Sequence, residues 1–266
     1  MKEFKLGFIG AGNMAEAIVG GAIKKNVVSP QNITLFDVST DRIAAMKDKY
    51  GVSGASTLPE LAKACDIFVL AVKPNIMPNV LIELSEIGAK QPLVSIAAGW
   101  SAEKIKSYLK RKNDVLRIMP NMPLMAGEGM SVFESPSDMG EDEYLFIKSI
   151  FQSLGLVLEE PAKLMDAVTA ISGSGPAYVF MFIEALADAG VLEGISRNDA
   201  ILLASQTVLG AAKAVLETGT HPAQLKDAVC SPGGTTIEAV RVLEDKGMRA
   251  AVIEAVIACA DKSKKL

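Results

Sequence analysis

Through the first 160 or so residues, short apolar runs alternate with longer stretches in which apolar and polar positions repeat at helical spacing. The apolar runs at 4–10, 32–37, 66–71, 93–97 and 115–119 predict strands. Between them, 13–25 predicts a helix of small and apolar residues and 41–50 a charged amphipathic one. Short strands that are apolar at nearly every position, alternating with helices, belong in a parallel sheet covered on both faces and joined by right-handed crossovers. The runs 129–133 and 155–159 are expected to extend that sheet.

From about residue 164 the alternation stops, and 178–192, 199–217, 222–229, 236–244 and 248–262 all read as helices. Residues 200–212 carry no charge, so that helix needs cover on most sides, from its own domain or from a second subunit. The boundary falls at the polar turn Glu159-Glu160-Pro161. This division predicts an α/β fold: an N-terminal Rossmann dinucleotide-binding domain over 1–161, followed by an all-helical domain over 162–266. Two glycine-rich stretches interrupt the helical part, ISGSGPAY at 171–178 and CSPGGTT at 230–236. Each reads as a helix start, with Ser174 as N-cap and Pro176 in the first turn of one, and Thr235 as N-cap of the other. The SGSGP break also argues against a membrane span across the uncharged run 167–183.

Composition narrows the function classes. Half of the 266 residues are hydrophobic, 22% are charged and the formal net charge is −4, so nucleic acid and anionic lipid are not expected partners. Three dispersed cysteines, Cys65, Cys230 and Cys259, suggest neither a disulfide framework nor a metal cluster, and they fit a reducing, cytoplasmic setting. With His221 the only histidine, a metal site built on imidazoles is not expected. His221 precedes a proline and reads as a surface residue at a helix start.

The first strand runs from Ile9 directly into Gly10-Ala11-Gly12-Asn13-Met14-Ala15, a G-x-G-x-x-A turn at the first strand-to-helix junction. Gly10 permits the tight turn, Gly12 lets a pyrophosphate approach the backbone, and Ala15 keeps helix and strand close. The helix N-terminus then offers N–H groups and a positive dipole end to the phosphates. Asp37 closes the second strand 22 residues beyond Ala15, where a ribose-binding carboxylate is expected. A carboxylate there accepts from a free 2′-hydroxyl and repels a 2′-phosphate, which favours NADH over NADPH. Ser39, Thr40 and Arg42 follow and are the groups that would hold a phosphate instead, although Arg42 also reads as a solvated helix charge.

Three further strands end in Ala71-Val72-Lys73-Pro74, Ala97-Ala98-Gly99 and Met119-Pro120-Asn121. Ligands of open α/β sheets bind beyond these carboxyl ends. Lys73 is placed to meet a phosphate or ribose, Asn121 to donate its amide, and Ala97 and Ala98 to leave room for a flat ring. Acid–base equipment is sparse, which suits hydride transfer from a nicotinamide cofactor.

In order and spacing, GFIGAGNMA, AVKP, SIAAG, RIMPNMP, ISGSGPAY and SPGGTT resemble the pyrroline-5-carboxylate reductase family over essentially the whole chain. The resemblance implies NAD(P)H-dependent reduction of the cyclic imine 1-pyrroline-5-carboxylate to L-proline, the last step of proline biosynthesis. It implies that the helical domain makes an interlocked homodimer, commonly assembled into a decamer, with the SPGGTT loop serving the Rossmann domain of the other subunit. It also implies site residues. Gly10 to Met14 would hold the pyrophosphate; Val72, Lys73, Pro74, Ala97 and Ala98 would line the nicotinamide half. Ser231, Gly233, Gly234, Thr235 and Thr236 would bind the substrate, Thr236 donating to the imine nitrogen, with Ser174 in a neighbouring wall. The chain departs from the family pattern at Met122, where many relatives have threonine, and at Leu58, where asparagine is common. At Asp37-Val38-Ser39, relatives that prefer NADPH often carry Asn-Arg or Ser-Arg. The competing readings are a related imine or β-hydroxyacid dehydrogenase, with Asp166 or Glu184 as proton donor, and a non-catalytic NAD-sensing scaffold.

Overall fold

A computed structural model of the chain describes residues 2–265. Among them is an eight-stranded sheet of order β3-β2-β1-β4-β5-β6-β7-β8. Its strands are β1 (Leu6–Ile9), β2 (Ile33–Phe36), β3 (Ser53–Gly54), β4 (Ile67–Leu70), β5 (Leu93–Ser95), β6 (Val115–Met119), β7 (Gly129–Glu134) and β8 (Gly155–Glu160). Between them run α1 (Asn13–Lys24), α2 (Thr40–Tyr50), α3 (Leu58–Ala64), α4 (Met77–Glu86), α5 (Ala102–Ser107) and α6 (Glu141–Gln152). The order reverses around β1 and β4, so their carboxyl ends flank the crevice where such sheets take a ligand.

The alternating faces of the strands create two cores. In β4, Ile67 and Val69 join Leu6, Phe8 and the inner face of α1, while Phe68 and Leu70 join Ile9, Leu61 and Leu81 on the other side. Every residue of β1, β4 and β6 is therefore buried, whereas β2 and β8 near the edges alternate with more exposed positions. Small residues bring α1 close: Ala15 and Val19 are fully enclosed.

The sheet departs from the parallel expectation at one place. β6 and β7 pair antiparallel, and β8 then returns parallel to β7. Only nine residues separate Met119 from Gly129, too few for the crossover that a parallel pair needs.

The remaining chain holds α7 (Met165–Val168), a π-helical segment (Thr169–Gly173), α8 (Gly175–Leu192), α9 (Arg197–Thr218), α10 (Pro222–Val229), α11 (Thr235–Asp245) and α12 (Met248–Ser263). By compactness the chain divides between Ser174 and Gly175, and the chain from Cys259 onward belongs to the first unit. Within that unit the Ser263 hydroxyl donates to Asp166 at 2.6 Å and the Cys259 thiol to the Ser174 hydroxyl at 3.2 Å. These contacts explain why 165–174 and the C-terminal turn group with the sheet.

The ISGSGP stretch holds the start of α8 at Gly175, with Pro176 in its first turn, but it follows a π-helical segment directly rather than a loop. The Ser174 N–H donates to the Thr169 carbonyl at 2.8 Å, a five-residue spacing that widens the helix by one residue without ending it. Ser174 closes the π-helical segment as its C-cap, immediately before α8, and its hydroxyl accepts the Cys259 thiol. Ala162–Leu192, taken as one stretch, and Arg197–Thr218 are each long and apolar enough to cross a membrane by length and composition, so the SGSGP stretch does not by itself exclude a span. In the second unit, Gly175–Ala258, Ala187, Ala200 and Ala204 form a small core with Ile183. Phe180, Met181, Leu202 and Leu209 are exposed on the single chain.

Gly10 and Gly12 give a paired test of the first turn. Gly10 has a φ of +103°, and a methyl group on it would lie 2.6 Å from the Ala71 carbonyl oxygen. Gly12 has nothing within 4 Å of such a methyl. In guanidinium melts, Gly10→Ala is expected to lose more than about 1 kcal/mol and Gly12→Ala less than that. Equal losses would show that the β1–β4 approach yields easily.

Candidate functional site

The β1–α1 turn is fixed from two sides. The Gly10 N–H donates to the Phe36 carbonyl of β2 at 2.8 Å, and the Ala71 N–H donates to the Ile9 carbonyl at 2.8 Å. Ile9, Gly10 and Ala11 are buried, whereas Gly12 and Asn13 are exposed and Met14 lies between. Gly12 is the N-cap of α1 and has no side chain to cap it, so the first-turn N–H groups lack a side-chain partner. Open space beside Gly12 and free amides at a helix start suit a pyrophosphate, so the residues present fit a dinucleotide.

The Asp37 side chain is held by two backbone N–H groups. One carboxylate oxygen accepts the Ala11 N–H at 2.7 Å and the other accepts the Ser39 N–H at 2.9 Å. The side chain is held in place, and lone pairs remain for a ribose hydroxyl. Ser39 caps α2, its hydroxyl accepting the Arg42 N–H at 3.4 Å.

Arg42 is not a simple solvated charge. Its Nε donates to the Ala11 carbonyl at 3.0 Å and its Nη2 meets Glu16 at 3.1 Å. Glu16 also takes Lys49 Nζ at 3.0 Å. The bond from Lys49, then that from Arg42, hold the Glu16 carboxyl below the usual carboxylate value, against the opposing effect of burial. Nothing in the sequence pattern singled out Glu16; one turn into α1, beside a loop built for anions, an acid is counterintuitive.

At the neighbouring strand ends, Ala71 and Val72 are half-buried and Lys73 and Pro74 exposed. Ala97 is buried, with its N–H 3.4 Å from the Ser95 hydroxyl, and Ala98 is half-buried. Sequence reasoning missed Trp100. Its indole N–H donates to the Pro74 carbonyl at 3.0 Å and so ties the β4 loop to the β5 loop. Lys104 Nζ sits 4.4 Å over the indole and 3.4 Å from the Gly99 carbonyl. The signal was available, since this is the only tryptophan and it follows the Ala-Ala-Gly turn.

Asn121 is buried, and its Oδ1 accepts the Met130 N–H at 2.8 Å. That bond orients the amide and uses its oxygen, so the NH2 group is the part of the side chain that can donate. The π-helical segment packs here within the same unit. Met165 and Val168 pack with Met119 and Ala98, and a methyl on Gly173 would lie 3.5 Å from Met119 Sδ. Thr169 and Ser172 donate their hydroxyls back to the Met165 and Val168 carbonyls. Met122 is half-exposed, while Leu58 is fully buried in the sheet core and takes no place at a ligand. Asp166 accepts the Ser263 hydroxyl at 2.6 Å, and Glu184 lies in α8 of the second unit.

Ser231, Gly233, Gly234, Thr235 and Thr236 all lie in the second unit, apart in sequence and unit from the dinucleotide residues. Gly233 turns the chain with a φ of +67°, and the Gly234 N–H donates to the Ser231 carbonyl at 3.0 Å. The N-cap of α11 is Gly234, not Thr235, and it has no side-chain cap. Thr235 is exposed and Thr236 half-buried. The loop therefore presents bare amides and hydroxyls together. His221 caps α10, its Nδ1 accepting the Ala223 N–H at 3.2 Å, as a residue at a helix start should.

Residues 162–266 match the family model described as pyrroline-5-carboxylate reductase dimerisation. Residues 5–99 match the model described as NADP oxidoreductase coenzyme F420-dependent. Pyrroline-5-carboxylate reductase of Escherichia coli is 47% identical over 267 aligned residues, covering 99% of this chain and 98% of its own. The Methanosarcina acetivorans enzyme of the same name is 42% identical, covering 100% and 99%. The crystal structure of Plasmodium falciparum pyrroline carboxylate reductase with NADP bound superposes with a TM-score of 0.90 at 36% identity, covering 100% and 98%. The fold, the strand-end loops and this correspondence along the whole chain together place the protein in the pyrroline-5-carboxylate reductase family.

Proposed function

We propose that the chain reduces 1-pyrroline-5-carboxylate to L-proline with NAD(P)H, the last step of proline biosynthesis. The observation that carries the reading is the start of α11. Uncapped amides suit the carboxylate of a small anionic substrate, and Thr236 adds a hydroxyl donor beside them. A reduced nicotinamide, when bound, supplies the hydride. The phosphate loop from Gly10 to Met14 holds the pyrophosphate, and Asp37 and Ser39 meet the adenosine ribose. Ala71 to Pro74, Ala97, Ala98 and Asn121 frame the nicotinamide half. Ser231, Gly233, Gly234 and Thr235 hold the substrate, and Ser174 supports a wall. Reduction of the C=N bond adds a hydride to carbon and a proton to nitrogen. Thr236 donates a hydrogen bond to that nitrogen, and the proton comes from solvent through its hydroxyl or an adjacent water.

NADH is the preferred reductant in this reading, because the Asp37 carboxylate is fixed beside the ribose position by two backbone N–H groups. Self-association covers the exposed apolar faces of α8 and α9, which also carry Glu184, Asp188, Asp199 and Lys213. Such a charge load favours a protein partner over lipid. We further propose that the dimer interlocks and assembles toward a decamer, and that the protein works in the cytoplasm, where its three free cysteines stay reduced.

Four measurements test this reading. Loss of absorbance at the nicotinamide band is expected when the imine is added with NADH, and more slowly with NADPH; no loss with either overturns the activity. Thr236→Ala is expected to lower turnover by about 10- to 100-fold with NADH binding nearly intact, since one positioned donor is worth that much or more. Unchanged turnover removes Thr236 from the chemistry. Asp37→Ser is expected to shift the NADH/NADPH ratio of kcat/KM toward NADPH while weakening NADH binding, because the Ala11 anchor goes with the carboxylate. An unmoved ratio takes Asp37 off the ribose. Leu202, 67% exposed on the single chain, is expected to be covered in the dimer; Leu202→Asp should shift sedimentation toward monomer, and an unchanged assembly would place the interface elsewhere.

A further inference from the structure

The Glu16 backbone N–H donates to the Gly12 carbonyl of the phosphate loop at 2.9 Å, while its side chain lies at the centre of the charges beside the loop. Arg42 follows the β2–α2 turn, the region that meets the ribose 2′ position in Rossmann domains. As a forked cation at 39% side-chain exposure, it is the kind of group that receives a 2′-phosphate. In this chain both of its described bonds run the other way, to the Ala11 carbonyl and to Glu16. Glu16 is in turn fixed by Lys49 and lies within 3.4 Å of the Tyr50 hydroxyl. It stays ionised at neutral pH, so its charge offsets that of Arg42 and adds repulsion toward any further phosphate nearby.

We propose that Glu16 is a positioning residue for cofactor choice: by holding Arg42 against the Ala11 carbonyl, it withholds the guanidinium from a 2′-phosphate and biases the loop toward the unphosphorylated dinucleotide. This rests on the dinucleotide role of the loop, and it adds to Asp37, at the end of β2, a second discriminating element from α1. The two act differently. Asp37 occupies the ribose position with negative charge, whereas Glu16 sequesters positive charge. The clasp also braces the loop, since Arg42 bridges α2 to the Ala11 carbonyl while Asp37 holds the Ala11 N–H from β2.

The test is calorimetric titration of the full-length protein with NAD+ and with NADP+, without imine, so that no turnover enters. Glu16→Gln keeps the shape and removes the charge. It is expected to lower the NADP+/NAD+ ratio of Kd by about threefold or more, the scale of one partly exposed charge pair. A merely structural loss would weaken both ligands together and leave the ratio unmoved, and that result overturns the proposal. Arg42→Met added to Glu16→Gln is expected to abolish the gain; a gain that survives would mean that Glu16 acts only by its own repulsion, and Arg42 falls out of the account. Should the wild-type protein bind neither dinucleotide, the dinucleotide reading fails and the inference with it. If wild type binds and Asp37→Ser moves the ratio while Glu16→Gln does not, the inference alone fails.

Discussion

Between β1 and β4 the backbone passes so closely that a methyl group on Gly10 would meet the Ala71 carbonyl at 2.6 Å. That approach requires a residue without a Cβ, and its φ of +103° is one that L side chains rarely adopt. The other strand-end features follow from it. The chain can leave β1 and enter α1 at once, so the helix N-terminus faces the crevice at the switch of strand order. Ala11 then lies where Asp37 and Arg42 grip its N–H and its carbonyl from the β2 side. A looser turn would leave the first-turn amides of α1 without a fixed aim.

Much of this was legible in the sequence for physical reasons. Strands buried on both faces must be apolar throughout, so β1, β4 and β6 stood out by composition alone. Gly10 occupies a position where backbone approach leaves little choice of residue, and Asp37 stands at the spacing from the glycine turn where an acid is expected. The direction of β7 was harder, because a short apolar run looks the same in either orientation. The length of the connection from Met119 to Gly129 held the answer. Glu16 and its pairing with Arg42 were opaque because a glutamate on a helix surface is an ordinary residue, and only the fold brings the two within 3.1 Å across 26 positions of chain.

The helical stretches misled in the opposite sense. Glycine, serine and proline at 173–176 do mark the start of α8 at Gly175, but what precedes it is a π-helical turn closed by the Ser174 N–H on the Thr169 carbonyl, not a loop. Proline at 176 is tolerated because α8 is assigned from Gly175, near the point where the π segment hands over to the α-helix. At 233–236 the reading of a helix start was sound but placed one residue late, since Gly234 takes the cap position. The bare cap is informative. A threonine capping the helix would occupy an amide with its own hydroxyl, whereas glycine leaves both the amides and the following hydroxyls unspent.

Trp100 adds a different kind of consequence. The molecule has one tryptophan, and its indole is buried at the strand ends, bonded to the Pro74 carbonyl and packed 5.5 Å from Tyr108. Indole emission overlaps the absorption of a reduced nicotinamide, so a ligand settling over these loops would quench a single, structurally defined fluorophore. The protein thus carries its own optical gauge of occupancy, with one signal arising from one place and no label to disturb the loops being watched.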